Sequence, residues 1–246
     1  MAFKPPSSSK NVKNINNLLI TGYPGVGKTT CCKHLIDAIR DSHNKYASIC
    51  SVQGFYSQEN RKNYSRIGFD IVNINDGSKH MLARIESELP NHIYNKYKMD
   101  KSSFRHVGKY VVDLNGFEKF VLPLFKVQGS KDTVSIFVID EIGKMELFSK
   151  QFENLVKQSM NNESMIVIAT VPIKHINFVE KLKQRQDSKL FTLTRNNRNL
   201  TTTYITKYLF DLIDAKSNND NNDGNDSNNN QQYFKASNQS YYRKKI

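Results

Sequence analysis

The chain has 246 residues, 38% of them hydrophobic and 11% aromatic, with no Trp. This length suits one domain of ordinary size with appendages, or two small ones, and the composition excludes collagen, coiled-coil and disulfide-rich scaffolds. No run approaches the ~18 apolar residues of a membrane span. The formal charge of +13 fits any polyanionic partner, a nucleoside triphosphate or a nucleic acid among them, and equally fits simple solubility.

The hydrophobic share lies below the globular average of roughly 45–50%, and the segment from Asn218 to Asn230 explains part of the deficit. It holds eight Asn, three Asp, one Gly and one Ser. Such a stretch cannot offset the entropy of ordering a chain. Residues 216–246 are therefore expected as a disordered tail, and 1–16 as a disordered arm, around a domain spanning 17–215. Cys31, Cys32 and Cys50 show no zinc spacing and read as reduced, buried residues of a cytosolic protein. No apolar stretch of signal-peptide length opens the chain.

Asn17-Leu18-Leu19-Ile20-Thr21 is an apolar run stopped by Gly22, too short for a helix, and reads as a strand buried on both faces. A helical pattern follows Gly27, with Cys31, Leu35, Ala38 and Ile39 on one side, to about Arg40. Residues 47–52 form a second strand candidate. Segments 54–56 and 67–74 read as an antiparallel pair joined by a loop at 61–65. Residues 76–109 are polar and offer one helix candidate, 81–89, ended by Pro90. A strand at 110–114 leads into a helix containing Phe117, Phe120 and Val121. Strands at 134–139, 165–170 and 190–193 then alternate with helices at 148–160, 175–186 and 200–215. This alternation predicts an α/β fold, a mostly parallel sheet covered by helices on both faces, with an antiparallel hairpin addition.

Gly22-Tyr23-Pro24-Gly25-Val26-Gly27-Lys28-Thr29 satisfies G-x-x-x-x-G-K-[ST] and lies between a strand and a helix, the context in which that motif works. Its glycines let the backbone approach oxygen atoms closely. Successive amides then form a concave nest for a β-phosphate at the positive end of the following helix. Lys28 is placed to reach the β- and γ-phosphates, and the Thr29 hydroxyl to ligate Mg²⁺.

A triphosphate site of this kind needs an acid on a nearby strand. The run Ser135 to Glu141 is apolar until it ends in two carboxylates, at the sheet edge where open α/β folds bind ligands. Asp140 is the expected partner of Thr29 in holding the metal, directly or through water. Glu141 is suited to orient an attacking water and accept its proton, and a pair of acids favours hydrolysis over transfer to another substrate. Two plainer readings stay open: Glu141 caps a turn or pairs with Lys144, and Lys144 either adds charge near the γ-phosphate or forms a solvated salt bridge.

With both motifs in place, the sequence resembles the cancer-related nucleoside-triphosphatases, small P-loop proteins that hydrolyse ATP, GTP and other NTPs. The shared segments are Thr21 to Thr30, Gly54-Phe55-Tyr56, Arg66-Ile67-Gly68-Phe69-Asp70, Val107 to Leu114, Val138 to Phe148, Ile168 to Pro172 and Asn197-Arg198-Asn199. They cover most of 17–215 in order. The resemblance implies a RecA-like strand order with the two motif strands adjacent. It also implies a nucleotide held by Gly22 to Thr29 and by Phe137, Val138, Ile139, Asp140, Glu141, Ile142, Gly143 and Lys144. Tyr23 stands where members more often carry a small residue or Pro, and His106 where Arg is expected, so the role of an Arg there is open. Residues 91–104 and those after Ala215 look like additions.

No Asn-Lys-x-Asp pattern for reading guanine occurs, since Asn95-Lys96 is followed by Tyr97 and Lys98. That argues for broad nucleotide use. Arg195 to Asn199 reads either as a contact to the base or, at Asn199, as a helix cap. The stretch from Tyr94 to Tyr110 interleaves Lys96, Lys98, Lys101, Arg105 and Lys109 with Tyr94, Tyr97 and Phe104. Single-strand nucleic-acid surfaces share that pattern, although a solvated loop is its commoner meaning. The expected protein is thus a slow, Mg²⁺-dependent nucleoside-triphosphatase of the cytoplasm, acting on ATP, GTP and other NTPs, without a membrane partner and with nucleic acid as a less favoured partner. The alternatives are a small nucleotide or nucleoside kinase and a nucleic-acid-binding module regulated by NTP.

Overall fold

The computed structural model describes residues 15–41, 43–126 and 133–219. Among them nine strands form one sheet: β1 (Asn17–Gly22), β2 (Cys50–Lys62), β3 (Ser65–Asn73), β4 (Lys79–Ile85), β5 (Arg105–Val107), β6 (Tyr110–Val112), β7 (Val134–Asp140), β8 (Met165–Pro172) and β9 (Ser188–Leu193). Their spatial order is β5-β6-β4-β3-β2-β7-β8-β1-β9. From β2 to β9 all pairings are parallel, and from β2 outward to β5 all are antiparallel.

The parallel half is covered on both faces, which is why its strands are apolar throughout. Leu18, Ile20, Val138 and Ile168 pack with Cys32 and Leu35 of α1 (Lys28–Arg40) and with Ile205 and Leu209 of α7 (Arg198–Asn219). The alternate positions Leu19, Phe137, Ile139 and Val167 face Phe117 of α4 (Leu114–Val121), Phe152 and Val156 of α5 (Lys150–Met160) and Val179 of α6 (Asn177–Lys183). Side-chain caps fix two of these helices: Asp113 accepts from the Gly116 amide and Ser149 from the Phe152 amide.

Five expectations change. The adjacency of the motif strands fails, because β8 lies between β1 and β7. The two motif strands are therefore about 10 Å apart, two strand spacings, yet end at the same edge. The strand expected at 47–52 begins only at Cys50, since Tyr46–Ile49 makes a helical turn, α2, with the Tyr46 ring stacked on Phe210 at 4.0 Å. The helix expected at 81–89 is strand β4 as far as Ile85, with a single 3₁₀ turn at Glu86–Glu88 after it; β4 finds partners on both sides in β3 and β6 and buries Leu82 and Ala83. Local helical spacing lost to two hydrogen-bonded ladders. The stretch read as a solvated loop folds into α3 (Asn91–Met99) and β5, and buries Tyr97 and Phe104 with Leu89, Ile93 and Val111. Those two rings are core, which removes them from any stacking platform.

The fifth change concerns the domain's ends. Ile15 packs on the core and the Asn16 amide donates to Asp187, so the body starts before residue 17, and α7 runs to Asn219, past 215. Residues 1–14 of the arm and 220–246 of the tail lie outside the described residues. No helix among those described is long and apolar enough to cross a membrane.

Phe152 joins the layers, with its ring centroid 6.1, 5.4 and 5.8 Å from those of Phe55, Phe117 and Phe125. Phe152→Ala should destabilise the protein by about 3–5 kcal/mol, measured by urea unfolding; a loss below about 1 kcal/mol would mean the helical layer does not depend on this contact.

Candidate active site

The loop after β1 is shaped by space as much as by flexibility. A Cβ on Gly22 would lie 2.6 Å from the Leu193 carbonyl oxygen and 2.8 Å from Val26 Cγ1, so no other residue fits there. Gly27 precedes α1 with φ 111°, in the left-handed region, and no side chain caps that helix. The first amides of α1 are thus left for an anion. Lys28 is only 10% exposed; its Nζ donates to the Gly22 carbonyl at 3.3 Å and lies 3.6 Å from Glu141 Oε2. Tyr23 is 70% exposed on the outer wall, while Val26 is buried in the core below.

Asp140 ends β7 and is 1% exposed. The intervening strand β8 supplies Thr170, whose hydroxyl donates to Asp140 Oδ1 at 2.5 Å, and β2 supplies Ser57, whose hydroxyl donates to the Asp140 carbonyl at 2.7 Å. Oδ2 is buried without a hydrogen-bond partner. Burial pushes this carboxyl above its ordinary pKa against the pull of Thr170, Thr29, Ser57 and Lys28. The Thr29 hydroxyl therefore stands close enough to act on Asp140, although Thr29 opens α1 after β1 while Asp140 ends β7, with β8 between the two strands.

Glu141 follows, one-third exposed, its carboxyl raised by burial and by Asp140 against the lowering charge of Lys28. Its ion-pair partner is Lys28 and not Lys144. Glu146 is a third acid here and was not singled out from the sequence. A Cβ built on Gly143 would lie 2.9 Å from both Glu141 Oε1 and Glu146 Oε2, so the two carboxylates flank that glycine.

These groups line one cleft of about 610 Å³ with Gly22, Pro24, Gly25, Gly27, Lys28, Thr29, Asp140, Glu141 and Lys144 in its wall. Further lining comes from Ser57, Glu59, Arg61, Arg66 and Phe69 of the β2–β3 hairpin, to none of which the sequence assigned a role. Phe137, Val138, Ile139 and Ile142 lie in the core and do not line the cleft; they carry Asp140 to its position. His106 points to the Tyr97 hydroxyl at 3.3 Å, and Arg105 donates to the Ser102 and Phe104 carbonyls, so both spend their side chains near β5. Arg198 does reach the loop, its Cδ 3.9 Å from a Cβ built on Gly27. Asn199 is the second residue of α7 and does not cap it; Asn197 instead ties the turn, accepting from the Thr194 amide at 2.7 Å.

Glu146 makes the site sensitive to pH. Burial first, then the charge of Glu141, push its carboxyl from an ordinary 4.5 up to about 8. Between those values the folded chain holds a proton that the unfolded chain has released. Stability therefore falls as pH rises through that window, by about 1.4 kcal/mol per unit for this group, and levels off above it. Glu146→Gln should flatten that part of the slope in metal-free urea unfolding from pH 5 to 8.5; parallel parent and variant curves would show that Glu146 is ionised throughout.

Comparison with known proteins agrees with this geometry. A sequence model of the family described as NTPase matches residues 17–206. The mouse cancer-related nucleoside-triphosphatase homolog is 39% identical over 189 residues, covering 74% of this chain and 90% of that protein. The nucleoside-triphosphatase THEP1 of Thermotoga maritima is 39% identical over 183 residues, covering 74% of this chain and 88% of that one. Among solved structures, the human cancer-related nucleoside triphosphatase superposes with a TM-score of 0.62 at 35% identity, over 79% of this chain and 97% of its own. THEP1 of Aquifex aeolicus gives 0.60 at 30% identity, over 77% and 96%. With its phosphate loop, its paired acids and a match spanning most of its length, the chain belongs to the NTPase family.

Proposed function

We propose that the protein is a Mg²⁺-dependent nucleoside-triphosphatase that converts ATP, GTP and other NTPs to NDP and phosphate. The observation that carries this reading is the unpartnered, buried Asp140 Oδ2 beside the Thr29 hydroxyl, in one cleft with Lys28 and Glu141. These hard oxygen donors suit Mg²⁺, which typically takes one or two protein ligands and completes its shell with phosphates and water. No group of three or more His, Cys, Asp or Glu side chains suited to a metal occurs among the described residues, so Thr29 and Asp140 are the groups that would hold it. When bound, the ion neutralises charge on the β- and γ-phosphate oxygens.

The loop amides and Lys28 bind those same oxygens and keep the γ-phosphorus beside Glu141. Glu141 orients a water in line with the bond to the β-phosphate. As the water oxygen attacks phosphorus, Glu141 takes its proton and the bond to the bridging oxygen breaks, leaving NDP and phosphate. A carboxyl raised by burial is a stronger base for this step. The base meets exposed Tyr23 and Arg198 at the loop's outer wall, surfaces that suit stacking without reading its edge, in keeping with broad specificity. Turnover is slow, because the cleft arginines Arg61 and Arg66 are tied to Glu59. The three unpaired thiols suit a reducing compartment such as the cytoplasm.

Glu141→Gln should keep its affinity for Mg²⁺-ATP while phosphate release falls on the order of 10²–10³-fold; release at the parent rate would remove Glu141 as the base. Lys28→Ala should lose both binding and turnover, read by nucleotide titration and phosphate assay. Parent protein that releases no phosphate by itself but, when a nucleoside or nucleotide acceptor is supplied, transfers the γ-phosphoryl group to it and leaves NDP would be a kinase instead.

A further inference from the structure

Strand β2 does not stop where β7 does. Tyr56 pairs with Asp140, the last residue of β7, and β2 continues to Lys62. Glu59, three residues beyond that pair, stands about 10 Å further along the strand. The overhang turns back through Asn63 and Tyr64, both in the left-handed region, into β3. It forms a wall facing the phosphate loop across the cleft. Its base is held firmly: Asp70 accepts from Arg84 Nη2 at 2.5 Å and from Asn60 Nδ2 at 2.6 Å. Register pairs Glu59 with Phe69 and Arg61 with Arg66, and all four line the cleft.

The two arginines of this wall are not equivalent. Arg61 is committed to its surroundings, with Nε and Nη2 on Glu59 Oε2 at 3.1 and 2.7 Å and Nη1 on the Tyr64 carbonyl at 3.1 Å. Arg66 reaches Glu59 through Nη2 to the other oxygen, Oε1, and packs over the Phe69 ring. Its Nε is buried without a partner, although the side chain as a whole is 34% exposed. A buried donor left unsatisfied in a native structure calls for an explanation. If Arg66 departs, Glu59 keeps both Arg61 contacts and is not stranded.

We propose that Arg66 is a catalytic residue that leaves Glu59 to place its guanidinium on the γ-phosphoryl oxygens as charge develops there, with Glu59 as its resting partner. This rests on the hydrolysis reading above and extends it. On the loop side of the γ-phosphate stands Lys28, already shared with Glu141 and the Gly22 carbonyl. Arg66 supplies cationic, bidentate contact from the far side, the geometry guanidinium offers phosphate and ammonium does not. The backbone of the hairpin stays in place; only the side chain moves. Burial works to raise the Glu59 carboxyl, but hydrogen bonds from Arg61 and Arg66 hold it below its ordinary value, so it is a charged competitor for Arg66. Only the fraction of molecules with Arg66 released is competent, which accounts for slow basal turnover.

The test compares parent, Arg66→Gln, Arg66→Lys and Glu59→Gln as full-length protein, by steady-state phosphate release with Mg²⁺-ATP and by titration with Mg²⁺-ADP, with and without aluminium fluoride to mimic the transferred phosphoryl group. Arg66→Gln keeps a hydrogen bond to Glu59, so the hairpin is preserved. It should lower kcat on the order of 10³-fold, leave KM and Mg²⁺-ADP affinity within about threefold, and abolish the gain in affinity that aluminium fluoride confers. Arg66→Lys should recover less than about a tenth of the parent kcat, and Glu59→Gln should raise kcat. An Arg66→Gln kcat within about threefold of the parent, or an unchanged fluoride effect, would overturn the proposal. A parent that releases no phosphate at all would instead count against hydrolysis itself, so the two failures are separable.

Discussion

The site depends on one buried carboxylate. Asp140 is taken out of water at the end of an apolar strand, and an acid in that position is tolerated only where hydrogen bonds or a cation compensate its lost hydration. Two neighbouring strands provide part of the compensation. Thr170 of β8 donates to one oxygen of the carboxylate and Ser57 of β2 to the carbonyl of the same residue. Both hydroxyls reach it because β2 and β8 flank β7 in parallel, with Tyr56 opposite Asp140 on one side and Ala169 opposite Ile139 on the other. The second carboxylate oxygen is left over, and the Thr29 hydroxyl stands close enough to act on the same carboxyl.

Electrostatics around this point is arranged to favour incoming positive charge and phosphate together. Asp140, Glu141 and Glu146 crowd one end of the cleft, each with its carboxyl raised mainly by burial. Lys28, Lys33, Arg61, Arg66, Lys144 and Lys174 surround them. Several of these cations are already engaged: Lys28 with Glu141, Lys33 over the Tyr56 ring at 4.0 Å, and both arginines with Glu59. A cleft of this kind stores unfavourable desolvation and partial pairing, which ligand charges relieve. The rest of the sheet supplies the rigidity that holds like charges together, through two apolar layers that bury Leu18, Leu19, Phe137 and Val138 completely.

The antiparallel half gives the fold its second wall. The continuation of β2 past β7 adds Ser57, Glu59 and Arg61 to a cleft that the phosphate loop, the β7 edge and Pro172 to Lys174 also line. The hairpin adds cations and an apolar side chain, Phe69, to the cleft. Beyond it, Tyr97 and Phe104 pack with Val111 of β6, so two rings of the basic stretch that resembles a nucleic-acid surface belong to the core while its lysines are exposed.

Much of this was legible in the chain. The loop from Gly22 to Thr29, the apolar strand before it, the helix after it, and the acids closing β7 follow from local rules of spacing and hydrogen bonding, which act over a few residues. The alternating α/β half was readable for the same reason. What could not be read were relations between distant segments. The insertion of β8 between β1 and β7, the conversion of 81–85 from helical pattern to strand, and the burial of Tyr97 and Phe104 depend on which ladders and faces become available only after folding. Glu146, Thr170 and Arg66 are single side chains whose meaning lies in contacts across the sheet. The residue types and short-range geometry of the phosphate site were set by sequence; its far wall, the support of its buried acid and the pairing of its arginines were decided by tertiary structure, since desolvation and strand register exist only once the segments meet.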